Sequence, residues 1–287
     1  MNPLRRIARA LYPVCLEIDR TIGGHPPAAA AAFAEGNAVR HAHAVSALLE
    51  QARKAGRRSL RVLNASGMST GHQDFSVAGY LKAHAGVPVE WTALESPRSP
   101  YPDLPAFRER AARLGIEILR ADLTDRGVPF GGGRLFDAVL FTEIAEHLPL
   151  PVLLQALEAI HRHLREDGIL LVTTPNLVSL PNRFRILLGN GDGPYFGDGR
   201  ANRDRGLYGH IALFDVRRMG RLLRDGGFRI LRSETFNAYF LESFRRSPGR
   251  RLAGLALDLL RRLVPGGGGT ILIVAEKGVR EPVPFQV

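Results

Sequence analysis

From Ser59 onward, short apolar runs alternate with longer stretches in which apolar residues recur every three or four positions. Runs of four to eight residues bounded by polar or Gly punctuation read as buried strands, and the longer periodic stretches as amphipathic helices. The pattern predicts strands at about Leu60–Leu63, Val89–Leu94, Ile116–Arg120, Phe136–Phe141, Ile169–Thr173, Phe228–Thr235 and Ile271–Ala275. Helices are predicted at about Asp74–Ala83, Leu104–Leu114 and Pro151–Leu164; the last carries Leu153, Leu154, Leu157, Ile160 and Leu164 on one stripe. Asp215 is placed to cap a further helix to about Arg224, which Gly226-Gly227 ends. Alternation of this kind builds βαβ units, hence an α/β fold with a mostly parallel seven-stranded sheet and helices on both faces.

Three regions stand outside that rhythm. Residues 1–57 read as an N-terminal helical extension, with the alanine run Ala28 to Ala32 following Pro26-Pro27. Residues 58–287 read as one domain. Within it, residues 176–212 are rich in Gly, Asn, Arg and Asp and are expected to form an inserted lid, since long irregular segments in compact domains commonly cover a site. A basic amphipathic helix is expected at about Arg250–Val264, within 249–265, and it is where peripheral membrane contact would occur.

Composition narrows the setting. No apolar run reaches the roughly eighteen residues of a membrane span. The start, MNPLRRIARALYPVCLEIDR, lacks the continuous apolar stretch and cleavage site of a signal peptide. Cys15 is the only cysteine, which excludes an internal disulfide or a multi-cysteine zinc site and suits the cytoplasm. The net charge of +11 is uneven. Residues 1–61 hold 10 basic and 4 acidic side chains, residues 62–175 hold 10 and 14, and residues 176–287 hold 19 and 10. The basic excess therefore sits on the flanks, where it would attract anionic substrates or a membrane surface. Charge alone does not decide between these, but no N-P-P-Y-type motif and no RNA-binding appendage is recognisable, so no nucleic-acid partner is expected.

In an open parallel sheet, ligands bind beyond the carboxyl ends of the strands. After the first strand comes Asn64-Ala65-Ser66-Gly67-Met68-Ser69-Thr70-Gly71, a small-residue loop that lets backbone N–H groups approach a ligand. After the second comes Glu95, a carboxylate able to accept from both hydroxyls of a ribose. After the third comes Asp122, where an adenine amino group would need an acceptor. Each alone has an ordinary structural explanation as a tight turn or a solvated strand-end acid.

The fourth strand adds Phe136-Asp137-Ala138-Val139-Leu140-Phe141-Thr142-Glu143-Ile144-Ala145-Glu146-His147-Leu148. This segment resembles the FD-x-V … E-x-x-EH-L stretch of class I SAM-dependent methyltransferases, in the branch that includes the ubiquinone O-methyltransferases. Leu164 to Asn176 resembles that family's fifth-strand section with its terminal Pro-Asn, and Gly209-His210 with Phe214 and Gly227-Phe228 its closing section. The arginine-rich insertion resembles those of methyltransferases in glycan and natural-product pathways. The resemblance implies a Rossmann-type fold and S-adenosylmethionine (SAM) as cofactor. It places Ser66, Gly67 and Gly71 on the methionine portion, Glu95 on the ribose, and Asp122 with Leu123 on the adenine. Thr142 and Glu143 fall beside the reacting centre. The expected reaction is methyl transfer to a small-molecule or glycan acceptor, on oxygen.

The first loop departs from the family pattern of an acid followed by G-x-G-x-G, because Asn64, Ser66 and Met68 stand in the acid and glycine positions. Two readings stay open: a variant grip on the cofactor, or a binding module that no longer catalyses. For the acceptor proton, His210 and His147 are the expected catalytic residues. Other histidines, among them His41, His43, His161 and His163, are expected to be solvated. No H-x-E, H-E-x-x-H or comparable spacing occurs, so no metal is expected.

Overall fold

The computed structural model describes residues 2–23, 25–66, 71–84, 86–122, 133–189, 210–237, 259–260 and 264–279. Two helices come first, α1 (Pro3–Ile18) and α2 (Pro27–Lys54), joined through a wide π turn at Asp19–Gly23. There follow β1 (Leu60–Asn64), α3 (His72–His84), β2 (Val89–Glu95), α4 (Pro105–Leu114), β3 (Ile116–Arg120), β4 (Phe136–Thr142), α5 (Leu150–His163) and β5 (Leu164–Pro175). The chain closes with α6 (Leu180–Leu187), α7 (Val216–Asp225), β6 (Phe228–Phe236) and β7 (Thr270–Lys277).

Among the described residues the strands form one seven-stranded sheet in the order β3-β2-β1-β4-β5-β7-β6. β7 runs antiparallel to both its neighbours, and the remaining pairs are parallel. The period-two alternation of the strands sorts their side chains onto two faces. Val62, Trp91, Ala138, Leu140, Leu171 and Val274 meet helices α1 to α4 on one face, while Leu63, Val139, Phe141, Leu170, Val172 and Ile273 meet α5 and α7 on the other. The large side chains among them each contribute about 1.5–3 kcal/mol on burial. The expected strands are all present, most of them longer by a residue or more.

One expectation changes, and two others reach beyond the described residues. β5 begins at Leu164, already paired with Phe136, so the strand starts where the helix was expected to end, and a register shift before Ala138–Ile169 takes up the intervening residues, Gly168 among them. Within the expected lid, α6 is regular structure; residues 190–209, its centre, lie outside the described residues. The basic helix at 249–265 also falls almost wholly outside them, with only 259–260 and 264–265 described. No helix among the described residues is long and apolar enough to cross a membrane.

Asp215 caps α7 as expected, its carboxylate accepting from the Arg218 amide at 2.6 Å. The terminal Pro-Asn of β5 has a structural role, in which the buried Asn176 donates to Gly266 O at 2.7 Å and Gly268 O at 2.6 Å. At Gly268 a Cβ would stand 2.6 Å from the Phe236 amide nitrogen, so only glycine lets that turn lie against β6.

Candidate active site

Sheet order reverses between β1 and β4, which opens a crevice at their carboxyl ends. Ser66, just past β1, spans this point. Its hydroxyl donates to Asn64 Oδ1 at 2.8 Å, its oxygen accepts from the Thr142 amide at 3.2 Å, and it lies 2.9 Å from Thr142 Oγ1. Thr142 donates in turn to Gln73 Oε1, from the first turn of α3. Gln73 Nε2 and Thr173 Oγ1 are buried without a hydrogen-bond partner among the described residues, so polar atoms remain available at the crevice. Gly71 enters α3 at φ +76, and a Cβ there would collide with the Phe75 ring. Packing and the positive φ therefore account for the glycine at this position. Gly67 and Leu123 lie outside the described residues.

Asn64, in place of the usual acid, is tied to a buried carboxylate. Its amide nitrogen donates to Asp74 Oδ1 at 2.8 Å, and the same oxygen accepts from Trp91 Nε1 at 2.7 Å. Glu95 ends β2 at 1% exposure, so it is not the solvated strand-end acid of the plainer explanation; Asp122 is half-buried beyond β3.

A second constellation follows β4. Glu143 adopts φ 54, a left-handed backbone that costs a side-chain-bearing residue of order 1 kcal/mol, and its amide is held by Thr173 O at 2.8 Å. Its Oε2 pairs with Arg40 Nη1 at 2.6 Å, while Oε1 is buried and has no hydrogen-bond partner among the described residues. Arg40 belongs to α2, so the N-terminal extension reaches into the site. One turn further, Glu146 is buried and accepts from Thr174 Oγ1 at 2.8 Å. Burial, reinforced by the Glu143 charge, pushes its carboxyl up to about 8. Ile211 and Ala212 donate their amides to Glu146 O at 2.8 and 3.1 Å, which brings the end of the insertion back over β4. His210 consequently packs edge-on against His147, with ring centroids 4.8 Å apart. Burial and the neighbouring His147 lower the His210 pKa.

Glu146, His147 and His210 offer ligand atoms that all lie within 4.8 Å of one another. This reopens the expectation of no metal: two imidazoles and the Glu146 carboxyl, which a bound cation would hold ionised, converge with Glu143 beside them. No ligand spacing in the sequence announces it, because Glu-x-x-Glu-His supplies only neighbouring ligands. The third donor, 63 residues on, arrives through backbone docking that leaves no local pattern.

The expectation of solvated histidines fails for three of them. His41, His43 and His163 are buried. His41 lies between Ser76 Oγ at 2.7 Å and Cys15 Sγ at 3.7 Å, and burial drives its pKa well below the usual value, leaving it neutral. The helices carrying them are covered on more faces than their own periodicity reveals.

A methyltransferase-domain family matches residues 40–233. The chain belongs to that family. Its seven-stranded sheet and flanking helices form the methyltransferase fold. No curated protein sequence matches the chain. Among solved structures it is similar to the magnesium protoporphyrin IX methyltransferase of Synechocystis PCC 6803, crystallised with bound SAH, at 12% identity and TM-score 0.51; the match covers 96% of this chain and 99% of that one. It is also similar to an S-adenosylmethionine-dependent methyltransferase from Clostridium acetobutylicum, at 12% identity and TM-score 0.50, over 82% and 90%. At these identities the likeness concerns the fold. The family match begins inside α2, at the residue that pairs with Glu143.

Proposed function

We propose that this protein transfers a methyl group from SAM to an oxygen of a small-molecule or glycan acceptor, and that a divalent cation on Glu146, His147 and His210 holds that oxygen. The observation that carries the reading is the convergence of these three side chains at the carboxyl end of β4, next to Thr142 and the β1–β4 crevice. The donor occupies that crevice. Glu95 would hold its ribose, Asp122 its adenine, and Ser66 and Gly71 its methionine portion.

Methyl transfer is an in-line displacement. The acceptor oxygen forms a bond to the methyl carbon, the carbon–sulfur bond breaks, and its electron pair returns to sulfur, leaving the neutral thioether SAH. Alignment supplies much of the rate. The acceptor hydroxyl must also lose its proton; a cation held by Glu146, His147 and His210 would supply Lewis-acid charge for that loss. A donor set of two imidazoles and a carboxylate suits Mn2+ or Zn2+ better than an all-oxygen ion such as Ca2+. Arg40 balances the Glu143 carboxylate beside it.

Calorimetric titration of Mn2+ and Zn2+ into the chelator-treated full chain tests the cation. One site is expected in the wild type, with at least about tenfold weaker binding in Glu146→Gln and in His210→Ala. Binding that is absent from the wild type, or unchanged in both variants, removes the cation and returns the acceptor proton to His210 or His147 acting alone.

A further inference from the structure

Asp74 is fully buried on α3 and takes no part in the chemistry described so far. Two neutral N–H donors, from Asn64 and Trp91, converge on one of its oxygens, an arrangement that favours the ionised form. Its place in the first turn of a 13-residue helix adds the favourable end of the helix dipole. The charge does not stop at Asp74. Asn64, polarised by giving its amide to Asp74, presents Oδ1 to the Ser66 hydroxyl, and Ser66 touches Thr142 across the crevice. The chain of dipoles ends one residue from Glu143, on the side of the cleft where the acceptor cluster sits. In an in-line transfer the methyl group points at the acceptor, so the sulfur bearing it lies at this end.

We propose that Asp74 sets the charge selectivity of the cofactor site: its carboxylate, relayed through Asn64 and Ser66, favours the sulfonium of SAM over the neutral thioether of SAH. The inference rests on SAM being the donor. It gives the substitution of asparagine at the end of β1 a physical role, with the negative charge moved one layer behind the strand. The charge acts through buried surroundings, where a carboxylate and a cation several ångströms apart interact far more strongly than in water. The relay also keeps a bare carboxylate from the cleft wall, where it would compete for the cation proposed beyond β4. With the sulfonium gone after transfer, that attraction is lost and SAH is released more readily.

The test is calorimetric titration of the full chain with SAM and with SAH. The wild type should bind SAM more tightly. Asp74→Asn keeps the side chain's shape and should weaken SAM on the order of tenfold while leaving SAH within about twofold. The double variant Asn64→Asp with Asp74→Asn, which returns the charge to the strand end, should restore the preference even if Asp74→Asn alone folds poorly. Trp91→Phe removes a neutral donor to the same oxygen and should leave the SAM-to-SAH ratio unchanged. Equal weakening of both ligands in Asp74→Asn, no weakening, or a double variant without preference for SAM overturns the proposal. A wild type that binds neither ligand refutes the donor reading itself, a result distinct from the others.

Discussion

His210→Ala is expected to lower turnover about 10²–10⁴-fold, the range lost when the group that manages a substrate proton is removed. Affinity for SAM should change little, because His210 packs on His147 and Glu146, where the acceptor is proposed to sit. The origin of the loss separates two mechanisms. If His210 is a cation ligand, millimolar Mn2+ should restore part of the activity, since Glu146 and His147 still hold the ion weakly. If the imidazole itself takes the proton, added cation restores nothing. Glu146→Gln should lose activity to a similar degree, as a carboxylate ligand is replaced by a neutral amide. Turnover in both variants within about threefold of the wild type would mean that alignment alone carries the reaction.

Glu95→Gln is expected to weaken SAM binding by roughly ten- to a hundred-fold, corresponding to about 1.5–3 kcal/mol for a charge-assisted hydrogen bond to the ribose. Glutamine is preferred to alanine because Glu95 is buried, with 1% of its surface exposed. Truncation would leave a cavity at the end of β2 and mix a packing loss with the binding loss. Calorimetry on the variant, with its melting temperature as control, separates the two. An affinity equal to that of the wild type would remove Glu95 from the cofactor site.

What was legible in the sequence follows from the range over which each signal acts. Strands such as Phe136–Thr142, every residue of which is buried, announce themselves as continuous apolar runs. The Asp215 cap and the Gly226-Gly227 stop are set by neighbours in the chain. Glu95 and Asp122 stand out because strand ends can be located from the pattern alone. The Glu146–His147–His210 cluster does not, since His210 is brought to Glu146 by two backbone hydrogen bonds from Ile211 and Ala212, which no spacing encodes. Arg40 is hidden for the same reason: its guanidinium reaches Glu143 from the N-terminal extension, 103 residues earlier. At the first loop, missing glycines and acid suggest either a variant grip or lost catalysis. The Asn64–Asp74 pair supports the first, because it keeps a carboxylate behind the position where the acid was expected.

Anomalous diffraction from crystals of the full chain grown with SAH and Mn2+ would see donor and cation together. The expected result is SAH in the crevice between β1 and β4 with a strong anomalous peak among Glu146, His147 and His210. Well-ordered SAH in that crevice with no anomalous density at the three side chains would contradict it.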